Sequence, residues 1–70
     1  RRREILIKSI MHSAPDEVSP AEKMQSVMTK FERTGAWNLP VIEDGKYLGF
    51  VSKSRIFNAY RQKLIRQAKE

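Results

Sequence analysis

The chain has 70 residues, 14 basic and 8 acidic side chains, a net charge of +6 and no cysteine. A single domain of this size buries only roughly 60% of its unfolded surface, so its core is marginal. Neither a disulfide framework nor a thiolate metal site can make up that deficit, and His12 by itself cannot build a zinc centre.

Stability is therefore expected to come from another copy or from the rest of a longer sequence. The charge is unevenly placed: residues 1–8 carry +3, residues 9–52 carry −2 and residues 53–70 carry +5. A basic coat suits nucleic acid or anionic lipid. Here the cations sit at the two ends rather than along a groove interleaved with aromatics, which favours solvated helix faces. No apolar run approaches the roughly 20 residues needed to cross a bilayer, the longest uncharged stretch of note being Thr34 to Ile42. The opening RRREILIK lacks the long apolar core and small-residue cleavage site of a secretory signal.

Residues 4–11, EILIKSIM, are apolar but short, and periodicity leaves strand and helix both open. Ser13-Ala14-Pro15-Asp16 reads as a turn, with Glu17 and Val18 as a brief extended segment after it. A helix follows, with Ser19 as its cap, Pro20 at its first position and Glu22 completing a capping box. Its apolar stripe is Met24, Val27, Met28 and Phe31, with Ala21 on the same side. Lys23, Lys30 and Arg33 face away, and Gly35 supplies a left-handed stop. Trp37 to Ile42 is a continuous apolar run, as in a strand covered on both faces. Pro40 within it places that strand at an edge or marks a break in pairing.

Asp44-Gly45 predicts a tight hairpin turn, and Tyr47 to Val51 the returning strand. Gly49 there implies a bulge or a close approach by other atoms. The last helix runs from Ser52 or Lys53 to near Ala68, with Ile56, Phe57, Tyr60, Leu64 and Ala68 on one stripe. That stripe is long for a domain with such short strands, so part of it is expected to meet a second domain.

Read without any family in mind, the polar groups carry little chemistry. Trp37 can stack on a base, but a packing role beside Pro40 is the plainer reading. Tyr47 and Tyr60 suit the edges of packed surfaces. His12 fits an exposed loop, and Asp16, Glu17, Glu43 and Asp44 fit solvated turns rather than an acid–base pair. No catalytic residue and no metal ligand is assigned, and an enzyme is not expected.

The capped helix, the LPVI strand, the Asp-Gly turn and the G-x-x-S step into an amphipathic helix together resemble the CBS motif, named after cystathionine β-synthase. The resemblance spans about Lys8 to Leu64. It implies an α+β fold, strand–helix–strand–strand–helix, with a small three-stranded sheet and two packed helices. It also implies that residues 1–70 are one CBS motif, half of a tandem or dimeric module. TGAWNLPVIEDGKYLGFVSKSRIFNAYR further resembles the last CBS motif in the cytoplasmic tail of bacterial CLC-type chloride channels and transporters. That likeness implies a regulatory domain on the cytoplasmic side of a cell membrane, partnered by another CBS motif and by a transmembrane portion.

CBS clefts commonly hold adenosine ligands such as AMP, ADP, ATP or S-adenosylmethionine, through a G-x-x-S/T-x-x-D segment whose aspartate accepts from ribose. Gly49 and Ser52 match that pattern, but Arg55 stands in the aspartate position. A guanidinium has donors and no acceptor, so that contact is lost, although Lys53 and Arg55 can reach a phosphate near a helix start. The resemblance thus puts Val18 and Pro40 around an adenine and Ser52, Lys53 and Arg55 near ribose and phosphate. A helix-cap role for Ser52 alone, and a small nucleic-acid-binding domain for the whole chain, are the alternatives.

Overall fold

The computed structural model describes residues 2–69, in the order α1 (Arg2–Ser13), α2 (Met24–Thr34), β1 (Asn38–Glu43), β2 (Lys46–Ser52) and α3 (Lys53–Lys69). The ambiguous N-terminal segment is a helix. It ends at Ser13 because Ala14 precedes Pro15, whose ring disfavours helical backbone in the residue before it. His12 is exposed, but on this helix rather than in a loop. No residue of α1 is buried.

The second helix starts later than its capping signals imply. Of the two reciprocal capping-box bonds only one forms, Ser19 N–H to Glu22 Oε1 at 3.1 Å; Ser19 Oγ accepts instead from Ala21 N–H at 3.4 Å. These bonds close a turn, with Glu22 N–H donating to Ser19 O at 3.0 Å, and the helix begins only at Met24. Pro20 thus occupies the second position of a turn, which its fixed φ suits as well as it suits a first helical residue. Ala21 is exposed and outside the helix. The other end behaves as read: Gly35 has a φ of 70° and donates to Phe31 O at 2.9 Å.

The hairpin is the best-specified part. Asp44 and Gly45 have φ of 51° and 75°, the two positive values a two-residue turn between right-twisted strands requires. The antiparallel register runs from Asn38 opposite Ser52 to Glu43 opposite Lys46, and slips once. Val41 faces Gly49 and Ile42 faces Tyr47, so Leu48 is an extra residue and Gly49 marks a bulge. The bulge lets Tyr47 and Phe50, three residues apart, share a face, and their rings meet edge-on at 5.6 Å. No atoms lie within contact range of a side chain built at Gly49, so the close-approach alternative does not hold.

The expected three-stranded sheet has two strands among the described residues. The third is reduced to Val18, which bridges Val41 in parallel: Val18 N–H donates to Pro40 O at 2.9 Å and Ile42 N–H to Val18 O at 2.8 Å. Successive backbone groups alternate sides along a strand, so the side of Pro40 that lacks an N–H points toward this one-residue bridge. Pairing with β2 continues across the proline, which faces Phe50. One residue suffices for the third strand because the chain turns away at once through Ser19 to Glu22.

Helices α2 and α3 pack together, and α3 packs on β2. Val18, Val27, Phe31 and Leu39 form the core, with Ala36, Val51, Ile56 and Phe57 packed against it. Phe31, Leu39 and Pro40 are fully buried. Tyr47 and Tyr60 are half-buried, as amphipathic edges should be.

Gly49 has a φ of 148°, a region L-residues rarely adopt. Gly49→Val should therefore cost about 1–3 kcal/mol through strain at the bulge. Urea denaturation checks this; an unchanged midpoint would mean β2 re-registers without loss.

Candidate functional site

The five candidate residues fall into two groups near the open end of the hairpin. Val18 and Pro40 are joined by the 2.9 Å backbone bond, and both side chains are buried. Neither offers free side-chain surface to a ligand, and Val18 N–H, Val18 O and Pro40 O are already engaged in the bridge to β1. Ser52 lies opposite Asn38, two residues along β1 from Pro40, or roughly 7 Å at the usual strand rise.

At the start of α3 several groups are already engaged. Ser52 Oγ accepts from Arg55 N–H at 3.2 Å, so Ser52 is the helix cap. Its hydroxyl proton remains available for donation. Lys53 N–H donates to Trp37 O at 2.8 Å. The Lys53 ammonium lies 5.2 Å from the Trp37 ring centroid and 5.8 Å from that of Phe57, within cation–π range. Arg55 is exposed. Ser52, Lys53 and Arg55 therefore form one cationic corner in which Arg55 is the group directed to solvent. The first turn of α3 holds no acid, so nothing there opposes an incoming anion.

Trp37 does not play the packing role read for it. It is 74% exposed, with the Lys53 ammonium over its ring. The apolar run that contains it is covered only from Leu39 onward. A surface concavity lined by Lys8, Ser9, Met11 and His12 lies on α1 and includes none of the five candidates.

Sequence reasoning missed the clamp that positions Val18. Lys30 does not face away: it is half-buried and donates to Glu17 O at 2.7 Å and to Glu22 Oε1 at 2.9 Å. Arg33 bonds Asp16, whose carboxylate is therefore paired rather than solvated. Ser26 also donates to Glu22. The Lys30 and Arg33 pairs connect residues 8 to 17 positions apart, and no local pattern carries that information.

These geometries lead to the family. A sequence model described as the CBS domain matches residues 7–62. The chain belongs to the CBS domain family, and its α+β architecture is that of one CBS motif. CBS domains are typically regulatory, non-catalytic modules that commonly pair with other CBS motifs and can bind adenosine nucleotides. No curated protein and no solved structure gives a significant match.

Burial raises the pKa of Glu22, but bonds from Ser26, Lys30 and the Ser19 amide, with the Lys30 charge, outweigh it and hold the group below the ordinary 4.5. A carboxylate depressed in the folded state adds stability that is fully present above its unfolded pKa and is lost as pH falls through the folded value. Stability should thus decline on acidification below about 4.5. Glu22→Gln should flatten that decline and lower stability at neutral pH. Urea midpoints measured across pH check this; parallel curves for the two proteins would remove Glu22 from the clamp.

Proposed function

We propose that this chain is a non-catalytic regulatory CBS motif acting as half of a paired module, in the cytoplasmic tail of a CLC-type chloride channel or transporter. The pairing partner is a second copy or another CBS motif of the same protein, and contact geometry is what passes to the transmembrane portion. The transport assignment is supported by the likeness of Thr34 to Arg61 to the last CBS motif of those tails.

The observation that carries the pairing is the apolar surface that β2 leaves exposed. Leu39 and Val51 face the helices, so Phe50 shares the opposite face with Pro40, Ile42 and Tyr47; Pro40 is buried there, while Phe50 stays open to solvent. Phe50 is 53% exposed and the bulge residue Leu48 is 56% exposed. The area agrees. The chain exposes 5852 Å², against about 4500 Å² for a compact monomer of 8.2 kDa. Its radius of gyration is 13.9 Å, against about 11 Å for a compact chain of this length. The excess, about 1350 Å², is larger than the roughly 800 Å² that one partner contributes to a standard interface.

Nucleotide binding on this half, in this reading, is carried by phosphate rather than ribose. Arg55 and Lys53 supply cations at a helix start, and Val18 and Pro40 border the adenine position.

Sedimentation across a concentration series should show dimers. Phe50→Glu should weaken them by about 2 kcal/mol or more, roughly thirtyfold, with circular dichroism unchanged. A monomer at every concentration would remove self-pairing. Arg55→Asp replaces the solvent-directed cation with an anion and should lower AMP affinity roughly tenfold by calorimetry. A gain instead would place Arg55 at the ribose rather than at the phosphate.

A further inference from the structure

The C-terminal half of α3 combines two features that the pairing of sheets does not use. Its sequence, Lys53–Lys69, contains six cations and no acid. Both ion pairs of the described residues, Lys30–Glu22 and Arg33–Asp16, lie on α2 and the loop before it, so neither involves α3. Two large aliphatics at the same end are also uncovered: Leu64 is 47% and Ile65 is 45% exposed. Both lie beyond residue 62, where the family match stops.

The spacing organises these groups. Consecutive helical residues are about 100° apart, so Lys63 lies to the outer side of Leu64 and Arg66 to the outer side of Ile65. Arg61 sits one turn before both, at the three- and four-residue spacings that share a face. Arg61, Lys63 and Arg66 are all exposed. Long basic side chains can lay their stems along an apolar surface while their heads stay at a polar boundary.

We infer that this end of α3 docks on an anionic lipid surface, with Leu64 and Ile65 entering the headgroup boundary and Arg61, Lys63 and Arg66 meeting lipid phosphates. Charge decides among the occupants. A second α3 would bring cations against cations, with no acid on either helix. A nucleic acid would satisfy the cations but leave two aliphatics against a polar backbone. An anionic lipid surface satisfies both. This inference does not depend on the transport-protein reading, because it rests on the helix alone.

The test is co-flotation of the chain with vesicles of phosphatidylcholine alone and of phosphatidylcholine mixed with phosphatidylglycerol. Binding should require the anionic lipid and weaken with salt. Arg61→Gln, Lys63→Gln and Arg66→Gln together should reduce it on the order of a hundredfold, at about fivefold per cation near a charged surface. Leu64→Gln with Ile65→Gln should reduce it about tenfold or more, through lost apolar burial. Both variants alter exposed positions, should keep the wild-type circular dichroism spectrum, and should leave the sheet-mediated dimer intact. Phe50→Glu should break the dimer and still bind vesicles, which separates the two surfaces. Failure to float with anionic vesicles would overturn the inference. So would full binding by the Leu64/Ile65 variant, tighter binding to a DNA duplex than to vesicles, or loss of dimers rather than vesicle binding in that variant.

Discussion

The fold depends on a single residue acting as a strand. Val18 exchanges two backbone hydrogen bonds with β1 and places its side chain in the core beside Val27, Phe31 and Leu39. A hairpin alone is marginal in water and needs a third strand or a helix against it. Here it has the least possible third strand, together with α3 packed on β2. The β propensity of Val18 suits an extended residue but does not by itself set its position on β1. It is held from outside, by Lys30 on the Glu17 carbonyl and Glu22 carboxylate and by Arg33 on Asp16. Exposed ion pairs contribute little, but Lys30 and Glu22 are partly covered and satisfy one backbone acceptor as well. Their effect is to fix the path of the loop, and through it the position of Val18 on β1.

That dependence explains what could be read from the chain and what could not. The Asp44-Gly45 turn, the stripe of α2, the Gly35 stop and the limits of α3 are local facts, set by φ preferences and by periodicity over one or two turns. All are present in the structure. The start of α2 was half legible: one bond of the capping box exists, from Ser19 N–H to Glu22, but it closes a turn at Pro20 and the helix starts only at Met24. The helical state of α1 was not legible, because a short apolar run satisfies either period. The Lys30 clamp and the exposure of Trp37 were out of reach for a different reason. Each depends on a group distant in sequence, and a charged residue on a predicted outer face gives no sign that a carboxylate will arrive there.

The candidate ligand site shows the same division. Ser52 was legible as a cap, and it is one. Whether a cap also serves a ligand depends on which donors around it remain unspent. The amides of Lys53 and Arg55 are spent on Trp37 O and Ser52 Oγ, and the Lys53 ammonium is drawn over two rings. The Ser52 hydroxyl proton and the Arg55 guanidinium can still meet an anion without breaking a bond in the fold. A phosphate therefore fits this corner better than a ribose, whose hydroxyls need an acceptor that Arg55 does not provide.

Two uncovered surfaces of different chemistry follow from one shortage of core. The sheet face around Phe50 is apolar, and the one charged pair at its tip, Glu43 with Lys46 across the turn, balances in charge. Such a surface is suited to a close copy of itself, because a self-complementary contact must not bring like charges together. The end of α3 cannot work that way, since every charge on it has the same sign. It needs a partner rich in anions. A motif with both surfaces can hold a neighbour with one and a boundary with the other. In a chain too small to enclose its own hydrophobic groups, those groups become the means by which position is communicated.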